Sequence, residues 1–263
     1  MKDLSGMRVL VTGAAGGMGR EYARQLLDLG CSLILTDLDG ERLAAVTREI
    51  LEAQARPTGA IAGLIEADIT QPDGCRGIYE KTIELAGGAD MLINNAGVIA
   101  YGDFHELPQE RWEALMQVNL LAPMRLTFLF LPGMIRQGRG HLVFMSSVAG
   151  FIPTAHGAAY SCSKFGLRGL GMALSGEVKD KGIQVTNVYP WWVATDMLRS
   201  PEYGSASIGR LPLPGIMTDR PGKVVREVIR GIRRNRLHVY PGPFAKGSWI
   251  ASKVYPLISK QAH

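Results

Sequence analysis

The sequence predicts an α/β fold, in which one doubly wound parallel β-sheet is flanked by helices. Short apolar runs rich in β-branched residues alternate with longer amphipathic stretches along all 263 residues, which is the pattern of repeated βαβ units. The predicted strands are apolar nearly throughout, as expected when helices cover both faces of a parallel sheet. No linker of low complexity and no long internal repeat interrupts the chain, so residues 1–263 are predicted to form a single domain.

Each element follows from its own pattern. The predicted strands, in chain order, are Met7–Thr12, Ser32–Thr36, Ile61–Glu66, Asp90–Asn94, His141–Ser146, Ile183–Tyr189 and Leu237–Tyr240. The predicted helices are Gly17–Leu29, Gly40–Ala55, Pro72–Gly87, Gln109–Gln137, Ala158–Lys181 and Asp219–Asn235. Prolines and glycines break the segment that follows the sixth strand, and few of its residues are charged. We therefore predict a substrate lid over residues 197–218.

Composition excludes several classes of protein. The chain is 46% hydrophobic and 20% charged, an ordinary composition for a globular protein. Its three cysteines are too few and too scattered for a disulfide framework or a zinc site, and no metal is expected. The chain has no run of about 18 apolar residues and no leader-like hydrophobic segment at its start. We therefore expect a soluble, cytoplasmic protein.

Much of the net charge of +5 is concentrated between Lys223 and Arg236. On a helix, the valines and isoleucines of this segment would share one face and the arginines the other. A solvated face of a packed helix is the favoured interpretation, ahead of a membrane-surface helix, and nucleic-acid binding is not expected.

A glycine-rich loop follows the first predicted strand. Thr12-Gly13-Ala14-Ala15-Gly16-Gly17-Met18-Gly19 leads directly into a helix, where backbone N–H groups and the helix N-terminus favour a pyrophosphate. Asp37 ends the second strand, where a carboxylate accepts hydrogen bonds from both ribose hydroxyls and repels a 2′-phosphate. The sequence therefore predicts NAD as cofactor, with NADP less favoured. Arg20 and Arg42 lie close enough in sequence to weaken that preference.

Three motifs in order resemble those of the short-chain dehydrogenase/reductase family, and the resemblance spans about residues 4–195. They are the glycine loop, Asn94-Asn95-Ala96-Gly97, and Tyr160-Ser161-Cys162-Ser163-Lys164. Membership of this family implies a Rossmann-like fold and a Ser–Tyr–Lys triad, which falls on Ser147, Tyr160 and Lys164. It also implies that Asn119 helps to order a water that connects the lysine to solvent. The remaining cofactor contacts implied are Gly13, Gly17, Met18, Gly19, Asp37, Asp68, Ile69, Asn95, Gly97, Pro190, Val193 and Thr195.

Spacing alone supports a shared role for Tyr160 and Lys164. Residues four apart project from the same face of a helix. An ammonium about 4 Å from a phenol would favour the phenolate by about 4 kcal/mol at an effective dielectric near 20. We therefore expect Lys164 to lower the pKa of Tyr160 by about three units, toward physiological pH. Ser147 would hydrogen-bond the same substrate oxygen, while Ser146 is expected to face away because side chains alternate along a strand.

The segment Pro190-Trp191-Trp192-Val193-Ala194-Thr195 departs from the family pattern, which has glycine where this chain has Trp191. The two indoles are predicted to form an apolar wall of the substrate pocket, with core packing as the alternative. His156 lies in a loop from which it could contact substrate, although an ordinary loop histidine is also consistent with the sequence. An apolar secondary alcohol or ketone is the expected substrate.

Two other functions are compatible with these features. One is a redox-sensing protein that binds NAD to regulate a partner, although the complete triad counts against it. The other is a peripheral membrane enzyme acting on a lipid-like alcohol, which would use Arg226–Arg236 and Phe244–Ile258. The resemblance also implies a homodimer or homotetramer formed through the two long helices. Its interface candidates, which could equally face the sheet, are Leu115, Leu126, Phe130, Leu170 and Leu174.

Overall fold

The centre of the protein is a seven-stranded parallel sheet. We describe it from a computed structural model over residues 3–54, 57–204 and 218–259. Its strands are β1 Arg8–Thr12, β2 Ser32–Asp37, β3 Ala60–Glu66, β4 Met91–Asn94, β6 Gly140–Met145, β7 Ile183–Val188 and β9 His238–Val239. They lie in the sheet in the order β3-β2-β1-β4-β6-β7-β9. The predicted doubly wound α/β fold is confirmed, and all seven predicted strands are present to within two residues at each end.

Helices cover both faces of this sheet. They are α1 Gly17–Asp28, α2 Gly40–Ala53, α3 Pro72–Ala86, α4 Gln109–Met116, α5 Ala122–Gln137, α6 Ala158–Glu177, α7 Pro221–Ile232 and α8 Gly242–Ser259. Neighbouring residues of β1 show how the core divides. Val9 and Val11 pack with α1, α2 and α7, whereas Leu10 packs with α3, α5 and α6. Both faces of each central strand are therefore buried, which explains the apolar runs.

Chain direction across the sheet reverses between β1 and β4. Strands β2 and β3 lie on one side of β1, and the later strands lie on the other. The carboxyl ends of β1 and β4 thus border a crevice at the topological switch point, where parallel α/β sheets bind their ligands.

The predicted helix Gln109–Gln137 is one continuous helical run. A π-helical turn, Gln117–Leu121, joins α4 to α5 and carries Asn119. By length and composition alone the run could span a membrane, with a mean hydropathy of 1.5 over its most apolar window. Leu115, Leu126 and Phe130 of this run are buried in the protein core. One face of the run therefore packs against α3, α6 and the sheet.

The predicted lid falls mainly on residues 205–217, which lie outside the described residues. Its two ends are described. Strand β8, Glu202–Tyr203, pairs with β5, Tyr101–Gly102, and Asp219 exchanges backbone hydrogen bonds with Trp192 and Ala194. Both ends are therefore anchored beside the crevice. The two-residue strands are too short to leave a sequence pattern.

Candidate active site

The glycine loop packs so tightly that side chains are excluded. Gly13 has a left-handed backbone (φ 65°) and a Cβ there would lie 2.8 Å from the backbone of Ala96. A Cβ on Gly19 would collide with the carbonyl oxygen of Gly13. The loop turns into α1 without a side-chain cap. The N–H groups of Gly17, Met18 and Gly19 precede the first intrahelical bond, donated by Arg20, so they remain available to an anion.

Asn95 holds the loop in this shape. Its amide nitrogen donates to the carbonyls of Thr12 and Gly13, at 2.9 and 3.1 Å. Its buried side-chain oxygen has no hydrogen-bond partner among the described residues. Such an oxygen is costly to leave unpaired, and it lies beside the cleft. The loop, the available amides and this acceptor together fit a bound dinucleotide.

A cleft of about 370 Å³ extends from the glycine loop along the carboxyl edge of the sheet. The predicted cofactor residues that line it are Gly13, Gly17, Met18, Gly19, Asp37, Asp68, Ile69, Asn95, Gly97 and Thr195. The other four, Tyr160, Lys164, Pro190 and Val193, line an adjoining pocket of about 120 Å³. The two cavities share Met18, Asn95, Gly97, Thr195 and Met197 as walls. The structure thus gathers all fourteen residues around one continuous crevice.

Asp37 lies at the end of β2 with its carboxylate held by two backbone amides. Its two oxygens accept hydrogen bonds from Ala15 and Leu38, at 2.8 and 2.9 Å. Arg42 also lines the cleft, but its guanidinium is 3.3 Å from the Asp196 carboxylate. Arg20 pairs with Glu49 of α2. Both arginines that weakened the expected preference for NAD therefore have carboxylate partners.

Ser147, Tyr160 and Lys164 meet in the adjoining pocket. Ser147 follows β6 and caps the short turn after it by accepting a hydrogen bond from Ala149 N, at 3.1 Å. The Ser147 side chain lies close enough to the Tyr160 phenol to favour its ionised form, and both residues line the pocket. Ser146 instead donates to the main-chain oxygen of Lys164, at 2.9 Å. The alternation of the strand therefore brings Ser147 to Tyr160, as expected.

Lys164 is one helical turn from Tyr160, and both side chains are buried. The lysine Nζ is 5.5 Å from the Tyr160 ring centroid and donates to the carbonyl of Met145, at 2.9 Å. Burial raises the pKa of Tyr160 to about 12, and the nearby Ser147 side chain opposes that rise only in part. Burial also lowers the pKa of Lys164 to about 8.

The expected fall in the pKa of Tyr160 is therefore wrong for the protein's own groups. The expectation assumed an exposed ammonium beside a solvated phenol. The structure instead removes both groups from water, which favours the neutral form of each. A neutral tyrosine is poised to donate a proton, whereas deprotonating it requires additional positive charge nearby.

Asn119 lies in the π-helical turn and its side chain is fully engaged. Its oxygen accepts from Val98 N at 2.8 Å, and its nitrogen donates to Val98 O at 2.9 Å and to Ser163 Oγ at 3.2 Å. The side chain thus fixes the segment after β4 to α6. The water-ordering role implied by the family resemblance would have to come from its main chain.

The two adjacent tryptophans are braced by different parts of the fold. Trp192 stacks on Tyr101, with ring centroids 6.0 Å apart, and Trp191 stacks on Phe244 of α8 at 6.3 Å. Both line the pocket. The backbone of Trp191 is outside the left-handed region, so the replacement of glycine causes no strain there.

His156 does not reach this pocket, so the interpretation that it binds substrate is not supported. Its ring nitrogen Nδ1 lies 2.8 Å from the Asp103 carboxylate, and its carbonyl accepts from Gly102 N. Thr154 is the residue of this loop that lines the pocket. Met197, the first residue of the predicted lid, also lines the pocket. The sequence did not indicate Ile99 and Tyr101 as pocket walls, because they lie in a loop and a two-residue strand without a motif.

Comparison with known proteins agrees with this geometry. The model of the short chain dehydrogenase family matches residues 7–203. Retinol dehydrogenase 10-A of Danio rerio is 33% identical over 252 residues, which cover 88% of this chain and 73% of the relative.

Two solved structures share the fold. A metagenomic short-chain oxidoreductase, solved in complex with NADP, is 33% identical with a TM-score of 0.71 and covers 88% of this chain and 92% of its own. The bulky-bulky ketone specific alcohol dehydrogenase from Comamonas testosteroni is 25% identical with a TM-score of 0.78. The match covers 100% of this chain and 97% of that enzyme. The chain therefore belongs to the short chain dehydrogenases, a family of oxidoreductases that act on CH–OH groups.

Proposed function

We propose that this protein interconverts an apolar secondary alcohol and a ketone, with Tyr160 as the general acid and base. The observation that carries the proposal is the meeting of Ser147, Tyr160 and Lys164 in one pocket that opens into the dinucleotide cleft. When bound, NAD⁺ would accept a hydride from the carbinol carbon at C4 of its nicotinamide.

Ser147, Tyr160 and Lys164 each have a separate role in the proposed reaction. Ser147 would orient the substrate oxygen by a hydrogen bond. Tyr160 would accept the hydroxyl proton during oxidation and return it to the carbonyl oxygen during reduction. Lys164 would hold the ribose hydroxyls. Burial raises the pKa of Tyr160 to about 12. Removing its proton during oxidation would therefore need the positive charge that an oxidised nicotinamide supplies, whereas reduction would not.

The walls of the pocket support an apolar substrate. Ile99, Tyr101, Val148, Trp191 and Trp192 face the cavity, and they offer hydrophobic area around a few polar groups, which is typical of sites for apolar ligands. Retinol dehydrogenase 10-A and the bulky-ketone enzyme are named for apolar or bulky substrates.

The direct test is a panel of secondary alcohols of graded size with NAD⁺ or NADP⁺, in which turnover is measured by the absorbance of the reduced nicotinamide. An absence of turnover with the whole panel would contradict the proposal and would favour the redox-sensing alternative.

We propose NAD as the preferred cofactor because Asp37 places a carboxylate in the ribose end of the cleft and Arg42 is paired with Asp196. A relative has been solved in complex with NADP, so the preference for NAD over NADP must be measured directly.

Replacing Asp37 by alanine is expected to shift the ratio of kcat/KM for NADP over NAD upward by at least about tenfold, because a repulsive carboxylate is removed. Steady-state kinetics with both cofactors measure the ratio. Asp39→Asn is the matched control, since Asp39 caps α2 outside the cleft and asparagine preserves the cap. An unchanged ratio in Asp37→Ala would assign the choice of cofactor to another residue.

Trp191→Gly is expected to lower the free energy of unfolding by about 2–3 kcal/mol, because the indole is half-buried and an aromatic ring buries 150–250 Å² when fully covered, at about 25 cal/mol per Å². KM should rise more for bulky alcohols than for small ones. Urea denaturation and kinetics on the graded panel measure both effects. Trp191→Phe keeps the stack on Phe244 and should retain most of the stability. A glycine variant with unchanged stability and size preference would exclude both the pocket-wall and core roles.

We also propose that the protein is a homo-oligomer. The candidates named from the sequence are mostly core residues, since Leu115, Leu126 and Phe130 are buried. The apolar side chains left exposed on the same helices are Met124, Phe128, Phe165 and Met172, and Phe128 is 78% exposed. Such a face on a soluble protein commonly marks an interface. Light scattering at micromolar concentration should give the mass of two or four chains.

A further inference from the structure

Positive charge is concentrated in one stretch of the chain that the proposed reaction does not use. Residues 220–253 hold nine lysines and arginines and a single glutamate. Their formal charge of +8 exceeds the +5 of the whole protein, so the remaining residues are net acidic. This stretch forms α7, β9 and most of α8, and it therefore makes one face of the molecule strongly basic.

The arginines of this face are exposed and few carboxylates neutralise them. Arg226, Arg230, Arg234 and Arg236 are exposed, and none has a carboxylate partner among the residues that the structure describes. Glu227 is paired instead with Lys246 of α8, at 3.1 Å. Three of these arginines line a cavity of about 300 Å³ together with Tyr240, Lys246 and the Glu227 carboxylate, so four cations face a single carboxylate there. A cavity lined in this way fits an anionic group such as a phosphate.

Helix α8 places apolar side chains next to that cavity. Trp249 and Ile250 are neighbours, and each is three or four residues from Lys246 and from Lys253, so the four side chains share one helical face. Trp249 is 38% exposed and Ile250 is 57% exposed. The Trp249 ring lies 5.3 Å from Tyr240, which lines the basic cavity. The cationic and the apolar side chains therefore form one continuous surface.

We propose that this surface binds the anionic face of a lipid bilayer. We call it the α7–α8 surface, and it consists of Arg226, Arg230, Arg234, Arg236, Lys246, Trp249, Ile250 and Lys253. Arginines and lysines would bind lipid phosphates, while Trp249 and Ile250 would enter the boundary between headgroups and acyl chains. Exposed isoleucine and tryptophan between lysines favour a bilayer over a nucleic acid, because a nucleic acid offers isoleucine no apolar phase to enter.

The position of α8 gives this binding a use. Phe244, in the first turn of α8, stacks on Trp191 of the pocket wall. The bilayer-facing helix and the substrate pocket thus share a contact, which places the pocket near a surface where an apolar alcohol would be concentrated. Anionic lipid is enriched in cytoplasmic leaflets, which agrees with the expected cytoplasmic location.

Co-sedimentation of the full chain with phosphatidylcholine vesicles, with or without about one third phosphatidylserine, tests the proposal. Binding is expected only with phosphatidylserine and should weaken at high salt. Arg230→Gln combined with Arg234→Gln is expected to weaken binding about 30-fold, at roughly 1 kcal/mol for each charge. Ile250→Ser should weaken it about fivefold.

The matched control is Arg76→Gln combined with Lys81→Gln, which removes the same charge from α3 on the opposite face of the sheet. It should leave vesicle binding unchanged. Circular dichroism melting of each variant checks that the fold is intact. No binding to phosphatidylserine vesicles, equal binding to both vesicle types, or an equal loss in the control would each overturn the proposal. Tighter binding to a DNA duplex than to vesicles would overturn it in favour of nucleic acid. These readouts need no turnover, so they are independent of the proposed reaction.

Discussion

Replacing Tyr160 by phenylalanine is expected to lower kcat by roughly 10²–10⁴-fold, the range contributed by a positioned general acid or base. The hydroxyl is the only group lost, and the aromatic ring remains in the pocket wall. Cofactor affinity should change little because the ribose is assigned to Lys164. Steady-state kinetics in both directions and fluorescence titration with NADH separate the two effects.

Tyr101→Phe is the matched control for this variant. Tyr101 also lines the pocket and is buried there, but its ring packs on Trp192. Removal of its hydroxyl should leave kcat within a few-fold of the parent value. If Tyr160→Phe kept substantial activity, or if Tyr101→Phe lost as much, proton transfer would have to be assigned elsewhere.

Lys164→Met is expected to abolish turnover, weaken cofactor binding and yet stabilise the fold. Burial lowers the pKa of Lys164 from 10.5 to about 8, which corresponds to about 3 kcal/mol of destabilisation at neutral pH. Loss of its hydrogen bond to the Met145 carbonyl offsets about 1 kcal/mol of that. The free energy of unfolding of the variant should therefore exceed that of the wild-type protein by about 2 kcal/mol. The wild-type lysine would thus lower stability while serving function.

The stability of the wild-type protein is expected to depend on pH, because Lys164 holds its proton more tightly in the unfolded chain than in the folded protein. Between pH 8 and 10.5 the unfolded state binds more protons at this site, so the wild-type protein gains stability as pH rises through that window. The advantage of Lys164→Met should be full at pH 7, vanish at about pH 10 and reverse above about pH 10.5, where only the loss of about 1 kcal/mol from the missing hydrogen bond remains. Urea denaturation at several pH values measures it, with exposed Lys179→Met as the control. If Lys164→Met were less stable than the wild type at pH 7, the contacts of the Lys164 side chain would stabilise the fold by more than burial of its charge destabilises it.

The sequence was informative wherever a function depends on near neighbours in the chain. Turn glycines before a helix, Asp37 at the end of a strand, and a tyrosine and lysine one turn apart are local patterns, and the structure brings them to one crevice. Helix α8 was missed because Gly247 and Pro256 interrupt its apolar periodicity. Strands β5 and β8 were missed because two residues carry no period.

Alternation of apolar strands with amphipathic helices and the order of the motifs were enough to determine the fold class and the family of this protein. Only the tertiary structure decided that Tyr160 is made less acidic, that His156 pairs with Asp103, that Arg42 pairs with Asp196 and that Trp191 stacks on Phe244. Each of these depends on burial or on a partner dozens of residues away. Propensity and spacing describe only neighbours along the chain, whereas desolvation and pairing are properties of the packed interior.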